Sequence, residues 1–416
     1  MKRPRAMKGI WFSQGLAILM GWALAEKAVG EDWPHWLGPD RNGVAREAVP
    51  ATFEAESVRW QARVGIGFSS VAVSGGRLYT MGHDGAKSGG QETIWCLDAK
   101  TGATLWTDRY EAALLPNLHE GGPAATPAVA DGRVYALSKD GQVRCLEADS
   151  GRLVWRRDIW RDSGLEGPPE WGFAGSPVVM GDRVIVEAGA TFALNRSTGE
   201  IVWRSQPFRP AYGSPAVLGE GAGLRLAVLK SDGLVLLDGN NGGTLAFERW
   251  ETPFDTNATT PVVHGSALFV STGYDRGCAL FQIVDGGLAK RYEHTAMCNH
   301  MNQSVLMGGY LYGFDGTAHR GRPTEFVCLE VESGRERWRV PSSMGLGCGS
   351  VIGTRDSKLI VLTERGELLV APATPEGFEP ESRAQVLGGR CWTPPVLSGG
   401  LVYARNARGD LVAVGG

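Results

Sequence analysis

Apolar positions in this chain fall in short runs, each set after a small residue or proline and closed by a glycine-containing turn. The runs begin Ser70-Val71-Ala72-Val73, Pro127-Ala128-Val129, Pro177-Val178-Val179 and Pro215-Ala216-Val217. They continue with Pro261-Val262-Val263, Ser304-Val305-Leu306, Ser350-Val351-Ile352 and Pro395-Val396-Leu397. Each predicts a strand, and successive starts lie about 46 residues apart, the length of a four-stranded blade. A turn follows, as at Gly75-Gly76, Asp131-Gly132 and Gly399-Gly400, and then a second apolar strand such as Arg133-Val134-Tyr135. A third strand alternates apolar and polar positions, as in Cys96-Leu97-Asp98-Ala99, Cys145-Leu146-Glu147-Ala148 and Cys328-Leu329-Glu330-Val331. Period-two alternation marks a half-buried strand.

The last turn of each unit is the most specific. Gly102 precedes Trp106, Gly151 precedes Trp155, Gly199 precedes Trp203 and Gly334 precedes Trp338, always by the same four positions. Glycine supplies the positive φ that a tight hairpin needs. A fixed offset then sends the indole to one face of the outer strand, where it can dock on the neighbouring blade. Phe247 stands at this place in the fourth unit, and the fifth and seventh units show no aromatic there. The eighth unit stops after its third strand, Asp410-Leu411-Val412-Ala413-Val414. A matching fourth strand sits far upstream, at Ser57-Val58-Arg59-Trp60-Gln61-Ala62-Arg63. The expected fold is therefore all-β: an eight-bladed β-propeller of four-stranded antiparallel blades, closed by the N-terminal strand completing the last blade. Trp60, Trp106, Trp155, Trp203, Phe247 and Trp338 are its expected docking aromatics.

The Thr/Ser-Gly-x-x-x-Trp unit resembles the pyrroloquinoline quinone (PQQ) repeat shared by quinoprotein dehydrogenases and BamB-type outer-membrane assembly factors. The resemblance covers roughly residues 57–416 and implies two kinds of function. One is a non-catalytic binding or scaffold protein of the cell envelope, with an envelope protein or an extracellular polymer as partner. The other is a small dehydrogenase that oxidises alcohols or sugars with PQQ and Ca²⁺. Quinoprotein dehydrogenases of this kind are larger and carry two adjacent cysteines, which this chain lacks. It also lacks Cys-x-x-Cys-His for a c-type haem and a lipidation cysteine after its first apolar run. The segment Trp33-Pro34-His35-Trp36-Leu37-Gly38-Pro39-Asp40-Arg41-Asn42-Gly43 resembles the leader of exported PQQ-like propellers, and is expected to pack on the ring.

Composition sharpens this reading. Glycine makes up 59 of 416 residues, about twice ordinary usage, which suits repeated hairpins. The net charge of −3 gives no electrostatic reason to expect a nucleic-acid partner. Lys2, Arg3, Arg5 and Lys8 precede an apolar stretch ending in Ala23-Leu24-Ala25, the pattern of a cleavable secretory signal. The expected division is a signal over 1–25, an extension over 26–56 and the propeller over 57–416. A periplasmic or secreted protein follows, acting as a monomer or within a complex. Of the seven cysteines, Cys96, Cys145 and Cys328 share one repeat position and read as equivalent buried thiols, while Cys348 and Cys391 can be near each other.

In such a ring, the connections between blades and the loops from second to third strands share one face. Candidate ligand residues there are His119, Trp171, Tyr212, Asn257, His300, His319, Arg320 and Trp392. Trp171, Tyr212 and Trp392 can stack on a planar ligand or a sugar, which makes carbohydrate binding a third reading. His294, Cys298 and His300 form the one dense ligand-like spacing and are a weak metal candidate. No catalytic constellation can be assigned from spacing.

Overall fold

The structure is a computed structural model that describes Met1 and residues 31–49 and 57–415. The expected secretion signal lies outside the described residues.

Eight sheets, each with four antiparallel strands and the seventh with a short fifth strand on its inner edge, are arranged as blades, with inner strands at Ala72–Ser74, Ala128–Ala130, Val178–Met180, Ala216–Leu218, Val262–His264, Val305–Met307, Ser350–Thr354 and Val396–Ser398. Blades 1 to 8 are numbered from these strands. The two middle strands of each blade face a neighbouring sheet on both sides. They are accordingly near-continuous apolar runs, as in Lys358–Leu362 and Glu367–Pro372. Outer strands alternate, as Leu153–Asp158 does. Blade 8 closes the ring: Val58–Arg63 pairs antiparallel with Asp410–Val414, in the register Trp60↔Ala413 and Arg63↔Asp410. Closure leaves no open sheet at the seam.

The docking aromatics explain the glycine offset. A β-bulge precedes the indole in the outer strand, for example between Leu153 and Trp155, and turns it toward the next blade. Trp60, Trp106, Trp155 and Trp203 lie on Gly102, Gly151, Gly199 and Gly242 of the following blades. A Cβ at any of those glycines would stand only 2.5 to 2.6 Å from the ring. Three of the indoles share their acceptor with a tyrosine from their own blade. Ala99 O accepts from Trp60 Nε1 at 3.0 Å and Tyr403 OH at 3.1 Å. Ala148 O accepts from Trp106 at 2.9 Å and Tyr79 at 3.2 Å, and Arg196 O from Trp155 at 3.0 Å and Tyr135 at 3.3 Å. Trp338 donates to Thr374 O at 2.8 Å.

Two expectations need correction. Phe247 does not dock: it is 44% exposed and stacks on Phe208 at 5.9 Å. The blade 5 hairpin beyond it is longer, and a Cβ added at Gly286 or Gly287 would meet no atom within 4 Å, so no ring rests on them. Blade 5 in turn does carry a docking aromatic. Tyr292 pairs with Leu280 beside the same bulge, packs on Gly334 and donates to Val331 O at 2.8 Å. Its hairpin is longer, which shifts the spacing from glycine to aromatic.

The segment 31–49 crosses the channel at the face bearing the first-to-second strand turns. Trp33 bridges Val73 of blade 1, and Pro34 O accepts from Val129 N of blade 2. Arg41 donates to Val179 O of blade 3, and Val44–Ala45 pairs parallel with blade 7. Glu47 accepts from Gly399 N and Gly400 N of blade 8. All seven cysteines are free and buried, Cys348 and Cys391 included. Among the described residues no helix is long and apolar enough to cross a membrane.

Candidate functional site

The crossing segment stops the channel at one end and leaves a cup at the other. Trp36 turns up into the ring as its floor, half-buried, with Nε1 donating to Thr260 Oγ1 at 3.1 Å. The walls come from the connections between blades, the one from blade 6 to blade 7 excepted, and from two second-to-third strand loops. The cavity measures about 170 Å³.

Hydroxyls before the inner strands hold these connections in step. Ser70 N donates to Thr126 Oγ1 at 3.1 Å, Thr126 N to Ser176 Oγ at 2.9 Å, and Ser176 N to Ser214 Oγ at 2.8 Å. Each bond joins one blade to the next, so the rim is braced by the same residues that start the strands.

Aromatic groups ring the mouth in three sets. Phe68 stacks on Trp392 at 5.7 Å, with His119 edge-on to Phe68 at 5.1 Å. Trp171 meets Tyr212 edge-on at 5.6 Å. Tyr274 meets His300 at 5.3 Å, and His300 meets His319 at 5.4 Å. The indole N–H groups are already used: Trp171 donates to Asn117 O at 3.1 Å and Trp392 to Glu364 Oε1 at 3.0 Å. The indoles therefore offer the cup their ring surfaces.

The imidazoles differ. His119 Nδ1 accepts Gly121 N at 3.0 Å, and His300 Nδ1 accepts Ala318 N at 3.4 Å. An Nδ1 that accepts leaves the proton on Nε2 of a neutral ring. Neither Nε2 has a hydrogen-bond partner among the described residues. Burial lowers His119 to about 4 and His300 to about 3, so both rings are uncharged at neutral pH. No Asp, Glu, Lys or Arg lines the cup. Near the mouth, Arg390 is paired with Glu120 at 2.7 Å and also lies over the Trp392 ring at 4.3 Å.

Of the residues singled out from sequence, His119, Trp171, Tyr212, His300, His319 and Trp392 line this one cavity. Asn257 does not: it is fully buried, and its Nδ2 donates to Lys230 O and Trp250 O at 2.7 Å. Arg320 lies outside the cup, over the ring of Phe254 at 5.2 Å. The metal candidate does not assemble. His294 stacks on Tyr292 at 5.1 Å with Nδ1 3.6 Å from Cys278 Sγ. Cys298 sits beside Asp315 and Arg322, and its thiol is pushed up to about 12 by burial. His300 faces the cup instead. Among the described residues, no group of three His, Cys, Asp or Glu could hold a metal ion. Trp36 and Phe68 were missed as cup residues. Trp36 lies in a segment with no repeat register, and Phe68 in the one connection preceded by a strand from the wrong end of the unit.

PQQ with Ca²⁺ was tested against this lining. Ca²⁺ takes six to eight oxygens, with carboxylates prominent among them, and the cup lining supplies no carboxylate. An apolar cavity of about 150 Å³ holds a single benzene ring, so a volume of about 170 Å³ encloses one ring, and a fused tricyclic quinone would stand partly out of the mouth. The residues of the cup do not fit this cofactor.

Comparison with known proteins places the ring among relatives. The family described as "Outer membrane protein assembly factor BamB" matches residues 46–159 and 139–245. The protein of that name from Yersinia pestis is 23% identical over 308 residues, covering 68% of this chain and 72% of its own. Quinohemoprotein alcohol dehydrogenase ADH-IIG from Pseudomonas putida is 26% identical over 183 residues, covering 41% of this chain but only 23% of its own length. The crystal structure of BamB from Moraxella catarrhalis superposes with a TM-score of 0.62 at 16% identity, covering 86% of this chain and 97% of that one. Eight blades, the glycine-to-tryptophan docking and these matches together make the chain a PQQ-repeat β-propeller in fold, similar to BamB and to the quinoprotein dehydrogenases.

Proposed function

We propose that the protein is a non-catalytic binding protein of the bacterial cell envelope that takes its partner on the loop face around the central cup. One observation carries this reading: a stopped cup walled by aromatic rings, whose lining has neither a carboxylate nor a cation. Such a lining supports recognition by shape and ring contact, and it offers no charged acid or base for proton transfer. The envelope location rests on the signal-like residues 1–25 and on the similarity to outer-membrane assembly factors. The partner is an envelope protein or an extracellular polymer, bound to a rigid disk whose loops vary from blade to blade.

The dehydrogenase reading is separated by one experiment. Purified protein is incubated with PQQ and Ca²⁺, and both the quinone absorbance and dye-linked oxidation of alcohols and sugars are followed. The expected result is no saturable uptake and no oxidation. Stoichiometric PQQ uptake with turnover would overturn the binding-protein reading.

A further inference from the structure

We propose that the cup receives the terminal ring of a neutral glycan, one uncharged pyranose seated over Trp36 between Trp171 and Trp392. This rests on the binding-protein reading above and names the chemistry of its ligand.

Size comes first. The cavity is closed below by Trp36 and holds about 170 Å³, so only the end of a polymer can enter, and only by one ring. Chemistry comes next. A pyranose has a C–H face that packs on aromatic rings and an edge of hydroxyls that accept and donate hydrogen bonds. The cup offers both counterparts: aromatic surface from Trp36 and Trp171, with Phe68 and Arg390 already against the Trp392 ring beside them, and free Nε2–H donors from His119 and His300. His300 is only 7% exposed, so its donor meets little but the cavity.

Competing ligands fit less well. A phenylalanine or tryptophan side chain of a protein partner has no acceptor and would leave both imidazole donors covered and unpaired, a cost of about 1–3 kcal/mol each, and a tyrosine has one hydroxyl for the two. An anionic sugar or a phosphate would find no cation within the cup, because the lining is uncharged; Arg390 is paired with Glu120, and Arg320 lies outside, over Phe254. A neutral hydroxylated ring satisfies the faces and the donors together.

The backbone supplies an independent observation. Leu118, Phe254 and Tyr274 have φ of +61°, +64° and +56°. Bulky residues in the left-handed region cost on the order of 1–3 kcal/mol each and collect at ligand sites. Leu118 and Tyr274 line the cup, and Phe254 packs on Tyr274 at 5.4 Å. Leu118 is 61% exposed and Phe254 57% exposed, two apolar side chains on the lip. The second and third sugars of a chain whose end is in the cup would lie across them.

The test is direct titration of the mature protein with neutral hexasaccharides of glucose, mannose, xylose and N-acetylglucosamine, with oligogalacturonate as the acidic control. Tryptophan fluorescence and calorimetry are the readouts. The expected result is saturable binding of at least one neutral chain, weakened about tenfold or more in both Trp171→Ala and His119→Leu. Both residues are only half-buried, and an unchanged thermal midpoint shows that each variant is folded. No binding by any neutral chain up to about 10 mM, binding of the acidic chain alone, or binding indifferent to both substitutions overturns the proposal. Those results leave the binding-protein reading standing, since only PQQ-dependent turnover removes it. An aromatic-tipped peptide competing for the same two residues, with no glycan bound, also overturns the glycan and assigns the cup to a protein.

Discussion

Tyr292 packs on Gly334 of the next blade and donates its hydroxyl to Val331 O at 2.8 Å. It occupies the seat that tryptophan takes in blades 1, 2, 3, 6 and 8. What the repeat requires is therefore a flat ring placed beside the bulge; its far end donates to the next blade from Trp60, Trp106, Trp155, Trp338 and Tyr292, while Trp203 Nε1 has no partner. Tyr292→Phe removes only the hydrogen bond and should lower stability by about 1 kcal/mol. Tyr292→Ala also removes the packing and should lower it by about 3–5 kcal/mol. Urea unfolding of the two variants separates these contributions, and equal losses would contradict the assignment.

The seat itself can be tested from the glycine side. Gly151 and Gly132 have nearly the same φ, +70° and +72°. A Cβ on Gly151 would stand 2.6 Å from the Trp106 ring, whereas one on Gly132 meets nothing within 4 Å. Gly132→Ala should cost only the left-handed backbone penalty, about 1–2 kcal/mol. Gly151→Ala should cost clearly more, because it also lifts the indole from Ala148 O. Thermal melts of the pair give the difference.

At the seam, Arg405 does what no pair of strands can. It is 1% exposed and donates from blade 8 to Gly65 O, Gly67 O, Ser69 O and Met81 O, and to Thr80 Oγ1, all at 2.8 to 3.0 Å. Arg405→Met keeps the bulk of the stem and leaves those carbonyls bare. Each buried unpaired acceptor costs about 1–3 kcal/mol, so the variant should lose at least about 3 kcal/mol in urea unfolding. A smaller loss would mean that the seam is wet.

Acid should weaken the fold through its histidines. His35, His119 and His300 are held by burial at about 4, about 4 and about 3, against 6.5 for an open imidazole. The unfolded chain takes up protons first, so their stabilisation is complete above pH 6.5 and is lost as the pH falls toward 4. Glu92 opposes this. Burial raises its carboxyl to about 7, so its contribution declines as the pH rises from 4.5 to 7. Burial also lowers His294 and His319 and raises Glu187, so five imidazoles stand against two carboxyls, and stability should fall on acidification from about pH 6.5 to about 4.5. His300→Gln should flatten that slope and Glu92→Gln should steepen it, as read from urea midpoints across the range.

The ring was legible in the chain because each blade repeats a local rule. A glycine with positive φ, a bulge and a large ring recur at fixed spacing, and the displaced strand at Val58–Arg63 carries the same signature. Phe247 and Tyr292 escaped because hairpin length in blade 5 changes both the seat and the spacing, and length is not visible in a four-residue window. The cup was legible in part. His119, Trp171, Tyr212, His300 and Trp392 lie at equivalent places in successive connections, so the fold alone brings them together. Asn257 is at such a place too, but its amide is turned back to bond the chain behind it. Trp36 belongs to no repeat, and only the path of the crossing segment delivers it to the floor.

That path also sets a direction. The crossing segment runs on the face opposite the mouth, with Ser398 Oγ bonded to Glu31 O and Gly75 N to the Asp32 carboxylate. Glu31 and Asp32 therefore lie on the back of the disk. A ligand therefore has one way in: the back of the disk is covered by residues 31–49, and the cup is reached through its mouth alone.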